Sequence, residues 1–192
     1  SHSCFVLEKM EIEIGIKALR QTRWRSFFTL VRRFTYGNTR FEENGCRQSI
    51  VAAFRNEQIS HSSFLGQIFY KSILFVAATA SRFKLLRRTL VTTENYSNKF
   101  SAHKRFYDRY NPVLSIVTSL GFDQDTLVMR EAKAQGSQVL VLVKNWDVPT
   151  TRGIGSVVPD HVFVWNDIMS NEVIRYHDVP RNRITITGIS QW

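Results

Sequence analysis

The sequence predicts an α/β chain: a parallel sheet with helices on both faces, preceded by a basic, mainly helical segment. Three observations carry this. Residues 138–143 read Gln-Val-Leu-Val-Leu-Val, an apolar run without polar alternation, as expected of a strand buried in a covered parallel sheet. Strand and helix signals alternate over residues 112–188, in the manner of βαβ units. The charge also changes at Asn111 and Pro112: residues 1–110 hold 19 Lys/Arg and 8 Asp/Glu, residues 111–192 hold 7 and 8.

In the basic part, apolar positions at Leu19, Phe27, Leu30, Val31 and Phe34, set among arginines, predict a helix. Gly37 and Asn38 stop it, and residues 42–45 read as a turn. A short helix is expected within 48–55. Ser62 and Ser63 offer an N-cap for a helix over 64–80, continued by the basic amphipathic stretch 81–90. A last helix over about 98–110 is stopped by Pro112.

The second part opens with an apolar strand over 112–120. A helix follows over 125–135, ended by Gly136 at a C′ position. The next strand covers 138–143. After a loop come a strand at 161–165, a helix reaching His177 with Val173, Ile174 and His177 inward, and a strand at 183–187. Right-handed crossovers make this β-α-β-loop-β-α-β series half of a doubly wound sheet.

Composition narrows the function. Of 192 residues, 43% are hydrophobic, enough for a core, so wholesale disorder is excluded. Cys4 and Cys46 are too few for a disulfide scaffold or a four-cysteine zinc site. No signal peptide is visible, and the most apolar stretch, 64–80, is shorter than a usual span and carries Gln67 and Lys71. The basic excess of the first part points to an anionic partner, with Arg82, Lys84, Arg87 and Arg88 as membrane-surface candidates. Solvated helices with long basic side chains explain the same charge.

Phosphate-binding glycine signatures are absent, as are His-Glu-x-x-His and Gly-x-Ser-x-Gly, so a resident nucleotide, a metal and a serine hydrolase find no support. Asp123 and Asp125 form an Asp-x-Asp that could hold a divalent ion, but they also suit the cap and first turn of the following helix, which is the stronger reading. His177, near a helix C-terminus, reads as a surface or packing residue rather than a catalytic base. The loop 144–153, Lys-Asn-Trp-Asp-Val-Pro-Thr-Thr-Arg-Gly, leaves the carboxyl end of a buried strand, where open α/β sheets bind ligands. Trp146 offers a stacking face, Asn145, Thr150 and Thr151 hydrogen bonds, Asp147 a carboxylate, and Lys144 and Arg152 positive charge. That mixture suits a sugar or an anionic sugar conjugate. The competing reading is structural, with Asp147 making a turn before Pro149.

The same loop, with Pro-Asp-His-Val-Phe-Val-Trp-Asn over 159–166, Glu-Val-Ile-Arg-Tyr-His-Asp-Val-Pro over 172–180 and Arg-Ile-Thr-Ile-Thr-Gly over 183–188, resembles the end of the N-terminal domain of bacterial GT-B-type glycosyltransferases. These are similar to the wider group that includes UDP-N-acetylglucosamine 2-epimerase. The family loop reads W-D-N-x-T-[ST]-K-G; here Val148 stands for Asn, Pro149 for a residue such as Leu, and Arg152 for Lys. The likeness covers about 112–192, under half the chain.

The resemblance implies one incomplete half of a GT-B fold. Residues 1–110 would be its basic helical part, 111–188 its Rossmann-like part and 189–192 the start of an interdomain linker. Truncation at both ends is then expected, with a C-terminal donor-binding domain missing as partner and the fragment inactive alone. The reaction implied is transfer from a nucleotide-sugar donor, UDP-linked, to a cell-surface polysaccharide or glycolipid acceptor. Asp147 is the candidate catalytic group, and Asn145, Trp146, Thr150, Thr151 and Arg152 would bind substrate. No cofactor is expected within the fragment. The place implied is cytoplasmic, peripheral on the inner membrane face, with a sugar or lipid-linked acceptor. Two alternatives stand beside it: an epimerase or polyol-phosphate transferase of the same architecture, and a basic nucleic-acid-binding module, for which no recognition motif is visible.

Overall fold

The computed structural model describes residues 23–36, 52–53, 55–97, 103–121 and 123–189. The expectations for Cys4, Cys46, the turn at 42–45, most of the helix within 48–55 and the linker beyond 189 lie outside the described residues. Among the described residues, α-helices and β-strands follow one another along the chain. They are α1 (Arg23–Phe34), α2 (Phe64–Arg82), α3 (Lys84–Ser97), α4 (Lys104–Tyr110), β1 (Leu114–Val117), α5 (Asp123–Ala134), β2 (Gln138–Leu142), the one-turn α6 (Val148–Thr151), β3 (His161–Val164), α7 (Asp167–His177) and β4 (Ile184–Ile186).

Their ends carry the expected stop and start chemistry. The Ser63 Oγ accepts the Gly66 N–H at 3.3 Å and opens α2. Asn111, left-handed at φ 41°, closes α4 just before Pro112. Gly136, at φ 77°, closes α5, with the Ser137 N–H donating back to the Ala132 carbonyl at 2.8 Å. The Asn166 Oδ1 accepts the Met169 N–H at 2.9 Å and starts α7. The stretch 64–90 is two helices rather than one continuous run. Phe83 is extended at φ −123°, and the Arg87 Nη1 donates to the Ser81 carbonyl at 2.8 Å, satisfying an acceptor that the break leaves free.

The sheet is four-stranded and parallel, in the order β1-β2-β3-β4. One face holds Val117, Val139, Val141, Val162 and Val164, all buried in a core with Met129, Ala132, Met169 and Val173. These come from α5 and α7, and Tyr107 adds α4 to the same layer. Helices on both faces were expected; among the described residues they cover one face only. Successive crossovers of one hand, each stepping to the next strand in the same direction, lay every helix on the same side. A second helical layer requires a reversal of strand order, which is absent among the described residues. The apolar runs are accordingly half-exposed rather than doubly buried: Ile116 on edge strand β1 is 61% exposed.

Helices α1, α2 and α3 form a separate cluster around Val31, Phe34, Ile73 and Ala77. It joins the α/β layer through buried polar contacts. Glu94 of α3 pairs with Arg32 of α1 at 3.3 Å and with Arg130 of α5 at 2.6 Å. The Arg87 Nε and Nη2 donate to both Asp178 oxygens at 2.7 and 2.8 Å, just beyond α7. Arg87 is therefore not a surface residue: it is buried, and its fork is engaged bidentately. Arg82, Lys84 and Arg88 are exposed.

Candidate functional site

The carboxyl ends of the parallel strands converge on one rim. From β1 the chain passes through Ser119, whose Oγ accepts the Gly121 N–H at 3.2 Å, and enters α5. From β2 it passes Lys144, whose N–H donates to the Thr118 carbonyl at 3.3 Å and so joins the two strand ends. Gly121 and Arg152 meet here as well: a Cβ on Gly121 would lie 2.3 Å from that of Arg152, so only glycine lets the two loops close.

The loop expected to carry function divides in two. Its leading residues face solvent: Lys144 and Asn145 are exposed and Trp146 is 70% exposed. Asp147 is half-buried at the N-cap of α6, yet its side chain makes no cap hydrogen bond. Instead its backbone carbonyl accepts the amides of Thr150 and Thr151 at 3.1 and 3.0 Å and their hydroxyls at 3.0 and 2.9 Å. Pro149 in the first turn forfeits no helical hydrogen bond there. The carboxylate is thus not the group that makes this turn.

The trailing residues are structural. Thr150 is buried, and the hydroxyls of Thr150 and Thr151 both spend their proton on the Asp147 carbonyl, so each keeps only its acceptor capacity. Arg152 is half-buried. Gly153, at φ 72°, lies against the end of α1, where an added Cβ would be 2.3 Å from the Arg32 carbonyl oxygen. The Ile154 N–H then donates to the Thr35 carbonyl at 2.6 Å. His177 locks the loop from behind: its Nδ1 accepts the Gly155 N–H at 3.2 Å and its Nε2 donates to the Pro149 carbonyl at 2.9 Å. Of the surface and packing roles that its sequence position left open, it takes the buried one.

Asp125 is a group the sequence left ambiguous. It lies in the first turn of α5 at the end of β1, half-buried. Burial pushes its carboxyl up to about 6, against the lowering effect of a hydrogen bond from the Ser119 backbone. A carboxyl near neutrality is suited to give or take a proton. A raised value in the folded state means that stability is fully present below the unfolded value of 3.8 and declines as pH rises towards about 6. Asp125→Asn should therefore stabilise the protein at pH 7.5 by about 1 kcal/mol, after solvent screening of a partly exposed group, and have no such effect near pH 4. Thermal melts at the two pH values check it.

Among the described residues, no three His, Cys, Asp or Glu side chains gather closely enough to hold a metal ion. An apolar groove of about 340 Å³ lies among α1, α2 and α3. The fold is a Rossmann-like parallel α/β arrangement. No family model, curated protein or solved structure matches this chain.

Proposed function

We propose that this chain is the acceptor-side domain of a glycosyltransferase of GT-B type, acting on a nucleotide-sugar, UDP-linked, and a polysaccharide or glycolipid acceptor. The observation that carries this reading is the rim at the end of β2. There an exposed Trp146 stands beside an Asp147 carboxylate that its own turn does not use. An indole face stacks on the apolar side of a sugar ring, while Asn145 and Asp147 supply hydrogen bonds to its hydroxyls. Of the substrate-binding candidates, Thr150 and Thr151 could act only as acceptors, since their hydroxyl protons go to the Asp147 carbonyl.

In the reaction, an acceptor oxygen forms a bond to the anomeric carbon as the bond from that carbon to the nucleotide diphosphate breaks. The acceptor proton passes to a carboxylate, for which Asp147 is the candidate. The diphosphate would be held by a second, donor-binding domain of the whole protein.

In the enzyme that contains both domains, Asp147→Asn is expected to lower kcat/KM at least about tenfold, roughly 1.4 kcal/mol, with the melting temperature unchanged. Steady-state kinetics against a panel of nucleotide sugars measures it. An unchanged kcat/KM would return Asp147 to a turn residue and remove the main support for this reading.

A further inference from the structure

We propose that the α1–α3 cluster docks on an anionic lipid bilayer, with the apolar face of α2 laid into the acyl-chain boundary and a lipid tail held in the groove between the three helices. This stands on observations separate from those at the rim. Along α2, Phe64, Leu65, Ile68, Phe69, Phe75 and Val76 are all exposed, and Phe75 is 73% exposed. Their spacing of three and four places them on one side of the helix, opposite the buried Ile73, Ala77, Ala80 and Ser81. Phe83, Leu85 and Leu86 extend the exposed surface past the break into α3. Contiguous apolar surface on this scale marks an interaction site.

Two further features identify lipid as the occupant. The first is hydroxyl masking. Ser72 and Thr79 interrupt the apolar stripe, but their hydroxyls donate to the Ile68 and Phe75 carbonyls at 2.8 and 2.9 Å. Thr89, which lines the groove, donates to the Leu85 carbonyl at 2.9 Å. These polar atoms thus need no partner from the occupant, as an acyl environment demands. The groove, lined by Phe27, Phe28, Phe75 and Leu90 among others, measures about 340 Å³, the size of a small-ligand pocket.

The second feature is charge. The three helices contain nine Lys or Arg, of which Arg32 and Arg87 are buried in ion pairs, and a single carboxylate, Glu94, which is buried on Arg32 and Arg130. Exposed Lys71, Arg82, Lys84 and Arg88 border the apolar surface. Anionic headgroups complement this one-signed field, whereas a second copy of the chain would bring like charges together. By length and composition α2 could also cross a membrane. Its packing on Val31 and Phe34 through Ile73 and Ala77 instead holds it along the cluster, so that it lies in the interface plane.

Flotation of the chain with vesicles of equal parts phosphatidylcholine and phosphatidylglycerol tests the proposal, with phosphatidylcholine alone as control. Binding to the anionic vesicles is expected, weakened by salt. The pair Phe64→Ser and Phe75→Ser should weaken it at least about tenfold at low salt, and the pair Arg82→Glu and Lys84→Glu at least about tenfold as well. Both phenylalanines lie outside the core, so the thermal midpoint should hold. In the Phe75→Trp variant, spin-labelled acyl chains should quench the added indole. Absent binding, or binding indifferent to the phenylalanine pair, would overturn the insertion. A lipid-free dimer abolished by Phe75→Ser would make the face a subunit interface. Resistance of the membrane-bound chain to alkaline extraction would make α2 a span.

Discussion

Between pH 6.5 and pH 4, the burial of neutral His177 is expected to cost the fold roughly 3 kcal/mol of stability. Burial lowers its pKa to about 4 from 6.5; the hydrogen bond to Pro149 and the charge of Asp178 oppose the fall, and Arg32 adds to it. In this window the unfolded chain protonates at His177 while the folded chain does not, so stability is lost as the pH falls. Geometry agrees. Nδ1 accepts the Gly155 N–H, and a proton there would set two donors against each other. Asp125 titrates in the opposite sense over an overlapping range, so the measurement is a difference: urea denaturation of wild type and His177→Gln across the window. The variant should lose this share of the pH slope. Parallel slopes would mean that His177 is not the source.

The second large effect is expected at Glu94. Removing it as Glu94→Ala leaves Arg32 and Arg130 without their shared carboxylate, and Arg32 is 2% exposed. Breaking a buried pair from one side costs about 3–5 kcal/mol, because the remaining charge stays desolvated. The retained bond from the Arg32 Nη1 to the Ile154 carbonyl, at 3.3 Å, favours the lower end. Lys104 and Asp108 supply the contrast. They form a helical pair at 2.9 Å with side chains 53% and 49% exposed, and Asp108→Ala should cost no more than about 0.5 kcal/mol. Equal losses for Glu94→Ala and Asp108→Ala in urea denaturation would show that burial does not govern the difference.

What was legible in the sequence is what local chemistry decides. The runs at 138–143 and 161–165 announced parallel strands, and Ser63, Gly136 and the Asn111-Pro112 step marked helix ends, because caps and stops depend on near neighbours. Depth was not legible. An apolar run reads the same whether one face of its strand is covered or two, and Ile116 differs from Val117 only through what packs on each side. Nor does sequence distinguish Arg87 from Arg88, since the partner that buries Arg87 lies 91 residues away. At the rim, Trp146 and Asn145 are exposed after β2. Sequence does not announce that one backbone carbonyl takes the hydroxyl protons of both Thr150 and Thr151.

The close seat of Gly153 on the end of α1 bears on how the two parts of the molecule work together. The loop that displays Trp146 and Asp147 runs, six residues later, into backbone contact with the helix that helps form the apolar groove. No spacer intervenes to absorb a tilt. A surface that bound α1–α3 as proposed would therefore pass its tilt to the rim through this joint. A side chain at position 153 would wedge that joint open, so a small-to-large change there would alter the rim's aim while leaving both surfaces chemically intact.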